Sequence, residues 1–168
     1  VKNWRPITIY SIIRRIIERT LDAKLRKQIN ISCQQRGFMN TPGCMVNARL
    51  VDAVLKDAKT NNASCAIAFI DVSKAFDNVG HRHIENCLLS YGVSSNLASL
   101  ITELLRNNSV QIVVGNNKSP SLPIKRGVPQ GGPLSPILFN LAVDYIYRET
   151  CESRFAANYG YHLDANCD

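Results

Sequence analysis

The chain has 168 residues, 45% of them apolar, which suits about one domain and supplies enough apolar side chains for a core. Its charge is uneven: residues 1–60 hold 12 Lys and Arg against 4 Asp and Glu, and residues 61–168 hold 8 against 9. No stretch approaches the ~18 uninterrupted apolar residues of a membrane span, and nothing resembles a signal peptide, so neither a membrane-spanning nor a secreted chain is expected.

A basic flank beside a near-neutral body suggests a polyanion partner, nucleic acid or an anionic membrane surface, although a solvated helix face explains many such biases. The six cysteines form no CxxC pair, and Cys65 sits in an apolar run where a buried thiol would be inert, so reduced cysteines in an intracellular protein are expected. The spacing of Cys151, His162 and Cys167 fits no common structural zinc site, and a fourth ligand is not evident.

In chain order, residues 8–28 place Ile9, Ile12, Ile13, Ile16, Ile17, Leu21 and Leu25 at helical spacing, which predicts a long amphipathic helix. Pro6 precedes it, so the entry should be extended or turning. Turn formers fill 32–43. A second helix is predicted over about 43–59, with Val46, Leu50, Val54, Leu55 and Ala58 on one side. The short continuous apolar run 65–70 predicts a strand buried on both faces. Two shorter helices follow at about 81–91 and 95–106. A hairpin is predicted over 109–125, turning at Gly115 to Asn117. A last helix starts at Ser135, with Pro136 tolerated in its first turn. Helices and a few strands alternate without βαβ regularity, which predicts an α+β fold.

Two stretches could carry chemistry. In "AIAFIDVSKAFDN", residues 66–78, Asp71 directly follows the apolar run. A carboxylate at the end of a rigid strand suits a metal ligand, but the spacing alone favours a cap for the turn or helix that follows. Asp77, with Asn78 and Gly80 behind it, has the stronger cap reading. In "RGVPQGGPLSPILFNL", residues 126–141, Gly127, Gly131 and Gly132 bracket Pro129 and Gln130 just before a helix. Such a loop could cradle a phosphate or a nucleotide, or be an ordinary connection from hairpin to helix. Neither stretch fits the Walker or dinucleotide-binding glycine patterns.

Taken in order along the chain, four blocks resemble the fingers and palm of reverse transcriptases, most closely those of non-LTR retrotransposons. "NWRPITIYSIIRRIIERTLDAKL" resembles the first fingers segment and "QQRGFM" the next block. "AIAFIDVSKAFDNVGH" resembles palm motif A, and "GVPQGGPLSPILFNL" resembles motif B. The resemblance implies a partial right-hand polymerase fold: a fingers-like basic helical part at 1–62 and a palm at 63–168, with motif A at 66–78, the hairpin at 109–125 and motif B at 126–141.

The same resemblance implies roles for particular residues. Asp71 would bind catalytic Mg²⁺ through its carboxylate, with the Val72 carbonyl as a further ligand. Phe76 would lie under the incoming sugar as the gate against a 2′-hydroxyl; by pattern alone it is a core aromatic. Gln130 would touch the incoming nucleotide, and Gly131 would let the backbone pass close to it. Arg5 and Arg15 lie where the family grips triphosphate and template; for Arg15 an ion pair with Glu18 or Asp22 is an equal reading. The implied reaction joins a deoxynucleoside triphosphate to a DNA primer on an RNA template, with two Mg²⁺ ions about 4 Å apart. Nuclear residence would follow for a eukaryotic element.

Two departures from the family pattern stand out. No paired-aspartate motif C follows motif B, and Asp144, Asp164 and Asp168 are single. The chain is therefore expected to be a fragment without motif C or thumb, inactive alone. The second departure is Gly132, where many relatives carry Asp. A reading of a different class is a non-catalytic nucleic-acid-binding remnant of a decayed or domesticated element.

Overall fold

The computed structural model describes residues 7–152 and 160–161. Along them run α1 (Ile12–Gln28), α2 (Gly43–Thr60), α3 (Ala75–Asn78), α4 (His81–Ser90) and α5 (Ser95–Arg106). The strands β1 (Ser109–Val110), β2 (Val113–Val114), β3 (Asn117–Lys118) and β4 (Leu122–Pro123) follow, then α6 (Ser135–Tyr147) and one π-helical turn, Arg148–Glu152. The fold is mixed, helices with two small antiparallel pairs of strands. It divides into two compact units, one built from 7–31 and 73–143, the other from 32–72 and the residues from 144 onward.

In the first unit, α1 starts later than its apolar pattern, because the Ser11 hydroxyl accepts the Arg14 amide at 3.4 Å and so caps the helix. Arg26 and Lys27 in its last turn suit the negative end of the helix dipole. Its packing face also differs from the isoleucine stripe. Leu21 and Leu25 are buried as expected, but Ile9, Ile12, Ile13, Ile16 and Ile17 are exposed, and Glu18 is the residue buried one turn above Leu21. Glu18 tolerates burial because Arg14, four residues earlier, bonds it at 2.9 Å.

The helices α4 and α5 form the centre of this unit. The first closes in a Schellman motif, with the Gly92 and Val93 amides bonded to the Leu89 and Leu88 carbonyls at 3.0 Å each. Ile84, Leu88, Leu97, Ile101 and Leu105 are buried, as are Ile137, Leu138 and Leu141 of α6. Each such side chain contributes roughly 1.5–3 kcal/mol of burial. The hairpin pairs β1 with β4, Val110 opposite Leu122, and β2 with β3, Val114 opposite Asn117. Gly115 turns it at φ +59.

The second unit has a polar interior. Among the described residues Ala58 is its only buried apolar side chain, beside buried Ser32, Gln35, Asp57 and Asp144. Asp144 accepts the Ser32 amide at 2.8 Å and pairs with Arg148 at 2.8 Å. Asp57 accepts from Tyr161 Oη at 2.7 Å and from Asn61 Nδ2 at 3.1 Å. The expected apolar side of α2 is largely open, with Met45, Val46, Leu50 and Leu55 exposed.

The strand expected over 65–70 is absent. Residues 63–72 have no regular secondary structure, and Phe69 and Ile70 are 85% and 90% exposed. A buried strand needs a neighbour to take its amides and carbonyls and cover on both faces. Among the described residues no strand pairs with this segment. Cys65, expected inert through burial, is half-exposed.

Candidate active site

The glycine-rich loop of 126–132 is fixed by backbone contacts to the end of the motif A stretch. The Gly127 amide donates to the Val79 carbonyl at 2.7 Å, and the Val128 amide donates to the Phe76 carbonyl at 2.8 Å. Gly127 adopts φ +92, and a Cβ there would meet Asp77 O at 2.9 Å and Phe76 O at 3.0 Å. Only glycine allows this approach without backbone movement. The imidazole of His81, buried at the start of α4, reaches the Gly127 carbonyl at 2.9 Å and holds the loop from the other side. The Phe76 ring lies 5.0 Å from that of Phe139 on α6, tilted by 38°. Phe76 is thus half-buried with an aromatic neighbour.

Gln130 and Gly131 rest on the chain just before α1. The Thr8 amide donates to the Gln130 carbonyl at 2.7 Å, while the Gln130 side-chain amide makes no hydrogen bond among the described residues. Gly131 sits at φ +100, and a Cβ there would fall 2.7 Å from the Thr8 carbonyl. The close neighbour that demands glycine at 131 is therefore the Thr8 backbone. A Cβ on Gly132 would lie 2.7 Å from Ser135 Oγ and 3.2 Å from Glu18 Oε2. An aspartate in place of Gly132 would set a second carboxylate beside the buried Glu18, which like-charge repulsion opposes. Glu18 also accepts a long hydrogen bond, 3.5 Å, from the Leu134 amide just ahead of α6.

Arg14 anchors this arrangement. Its guanidinium bonds Glu18 at 2.9 Å, Asn108 Oδ1 at 2.7 Å and the Leu104 carbonyl at 2.9 Å, and stacks 4.0 Å over the Tyr10 ring. Burial pushes the Tyr10 hydroxyl above its ordinary pKa, with the Arg14 charge opposing. This cluster carries no role in the sequence reading. The Arg14–Glu18 spacing of four residues was its only signal, and such pairs more often stand in solvent.

Phe76, Gln130 and Gly131 fall in the first unit, Asp71 and Val72 in the second. Asp71 is exposed, follows an irregular segment and caps nothing, since Lys74 precedes α3 at its N-terminus. It makes no hydrogen bond or ion pair among the described residues. Asp77 does lie in the short turn of α3 that follows. Arg15 is exposed and forms neither of the ion pairs open to it: Glu18 takes Arg14, and Asp22 takes Arg26 at 2.9 Å. Arg5, His162 and Cys167 lie outside the described residues, and so does the Cys151 side chain. No group of three or more His, Cys, Asp or Glu side chains is gathered to hold a metal among the described residues. Asp71 is a hard oxygen donor of the kind Mg²⁺ takes, but one carboxylate does not complete a two-ion site. No described helix is long and apolar enough to cross a membrane.

Comparison with known proteins gives the same family as the four blocks. Residues 1–162 match the family described as reverse transcriptase (RNA-dependent DNA polymerase). The chain is 37% identical over 159 residues, 95% of its length, to the Pol polyprotein of the type-2 retrotransposable element R2DM of Drosophila melanogaster. It is 35% identical over 143 residues, 84% of its length, to that of a type-1 retrotransposable element R2 of Popillia japonica. At 26% over 149 residues it also matches the RNA-directed DNA polymerase from the mobile element jockey of Drosophila melanogaster, 84% of this chain and 16% of that protein. The chain belongs to the reverse transcriptase family, and its relatives are proteins of non-LTR retrotransposons. It spans 15% and 20% of the length of the two R2 proteins.

Proposed function

We propose that the chain is the fingers and palm portion of an enzyme that copies retroelement RNA into DNA by adding deoxynucleotides to a DNA primer. The observation that carries the reading is the pair of backbone hydrogen bonds joining 76–79 to 127–128, at 2.7 and 2.8 Å. They seat Phe76 and the Gln130 loop on one rigid scaffold, which positioning of a nucleotide requires.

On this reading Phe76 gates the sugar, and the free side-chain amide of Gln130 bonds the nucleotide. Gly131 serves the same loop through its fit on Thr8. Arg5 and Arg15 meet triphosphate or template, Arg15 with a guanidinium that pairs with no carboxylate among the described residues. Asp71, with the Val72 carbonyl, is one donor to the Mg²⁺ ions, and further carboxylates must complete the set. Bound divalent ions would supply charge stabilisation at the reacting phosphate. The functional parts 1–62 and 63–168 follow the family's blocks, whereas the two compact units interleave them. The chain without further carboxylates is expected to be inactive.

The test is primer extension on an RNA template with Mg²⁺, using the full-length protein and this chain alone. Activity in the full-length protein that Asp71→Asn abolishes supports the reading. Activity that survives Asp71→Asn removes Asp71 from the metal site. Binding of RNA without extension in either form returns the non-catalytic remnant.

A further inference from the structure

An open cavity of about 480 Å³ lies in the first unit, where the start of α4, the end of α5 and the segment after β4 meet. Arg82, Arg106 and Lys125 line it beside Gly80, His81 and Ile124, and no carboxylate does. Arg82 and Lys125 are exposed and make no ion pair among the described residues. Arg106 is held by Glu85 at 3.0 Å and more loosely by Glu103 at 3.8 Å.

The cations are gathered by the backbone. His81, 5% exposed, bonds the Gly127 carbonyl, and the Gly127 amide bonds Val79, so the segment carrying Lys125 is pinned against the first turn of α4. That turn contains no acidic residue, and its cap, Gly80, offers no side chain to the free amides. The positive end of the helix dipole adds to the field of the three side chains.

We propose that this cavity binds backbone phosphates of single-stranded RNA. The proposal rests on the reading of the chain as part of a nucleic-acid-copying enzyme. The volume lies in the range of small-ligand sites, about 300–1,000 Å³. The cavity is open and Arg82 and Lys125 are exposed, however, which suits an extended polyanion passing across the opening better than an enclosed metabolite. Two unpaired cations engage phosphate directly, and the paired Arg106 contributes less than its full charge because Glu85 competes for it.

The experiment is fluorescence anisotropy of a labelled single-stranded RNA oligonucleotide with the full-length protein over a range of salt concentrations. For single strands the slope of log affinity against log salt has a magnitude of about 0.7 for each phosphate the protein neutralises. The Arg82→Gln/Lys125→Gln double variant is expected to lower that magnitude by about 1.4, and each single variant by about half as much. Glu85→Gln, which releases Arg106, is expected to tighten binding. An equal charge change at Lys59→Gln/Lys118→Gln, outside the cavity, controls for the general field, and circular dichroism confirms the fold of each variant. A double variant whose slope matches wild type, or falls no more than that control, overturns the proposal while leaving the enzyme reading intact. Glu85→Gln binding no tighter than wild type overturns the part assigned to Arg106. Wild-type binding that ignores salt overturns the nucleic-acid reading and this proposal together.

Discussion

Replacing Gly127 by alanine tests whether the 127–128 backbone lies as close to the 76–79 segment as the geometry has it. Gly92 provides the control, because it too has positive φ, +76, but a Cβ there meets nothing within 4 Å. In Gly92→Ala the cost is the left-handed conformation alone, about 1–2 kcal/mol, less about 0.4–1 kcal/mol recovered from the restricted unfolded chain. Gly127→Ala incurs the same two effects and adds a Cβ 2.9 Å from Asp77 O and 3.0 Å from both Asp77 Cα and Phe76 O. These are backbone atoms with no rotamer to relieve them, so an overpacking cost of about 1–3 kcal/mol follows. Gly127→Ala should therefore be about 2 kcal/mol less stable than Gly92→Ala by urea unfolding. In the full-length protein it should also slow primer extension, because Phe76 and Gln130 are carried by the two strained segments. Equal losses of stability in the two variants would refute the argument.

Glu18→Ala should cost about 2 kcal/mol in thermal unfolding, below the 3–5 kcal/mol of a fully buried pair, because Arg14 keeps Asn108 and Leu104 and stays partly solvated; a loss under about 0.5 kcal/mol would show that the carboxylate is not a structural anchor. Phe76→Ala or Phe76→Val should raise ribonucleotide incorporation in the full-length protein, and unchanged sugar selectivity would withdraw the gate role. The raised pKa of Tyr10 means that the folded chain keeps a proton which the unfolded chain releases above its ordinary value of 10.0. That contribution to stability is full below pH 10 and lost as pH climbs through the raised value, so Tyr10→Phe should flatten the decline in stability above pH 10. Amides of 66–70 should exchange hydrogen at nearly the rate of an unfolded chain, while those of α5 are protected, and strong protection at 66–70 would contradict the open segment.

Helix positions were legible because their determinants are local. The 3.6-residue period of Leu97, Ile101 and Leu105, and the stop at Gly92, lie within a few residues of the structure they specify. The hairpin was legible for the same reason: Gly115 sits between two alternating runs. The segment at 65–70 was not, because a strand is a property of two segments. Ile67, Phe69 and Ile70 in a short apolar run state a preference that only a paired neighbour can realise. The orientation of α1 was misread for a related reason. Five isoleucines outweigh Arg14 and Glu18 in any count of hydropathy, yet the ion pair, with Asn108 and Leu104 ninety and more residues away, decides which face is buried.

The site divides along the same line. The residue types of the candidate site in the first unit were visible in the sequence, since Phe76 and the Pro-Gln-Gly loop belong to recognisable blocks. What holds them was not visible. Gly127 reads as loop punctuation until its missing Cβ is set against the Asp77 and Phe76 backbone, and Gly131 until it is set against Thr8. His81 reads as the first residue of a helix until its ring is seen on the Gly127 carbonyl. At both glycines an earlier segment of the chain meets the loop through backbone atoms, and such contacts leave no mark on side-chain pattern except the glycine they require. The glycines of that loop were thus informative about packing.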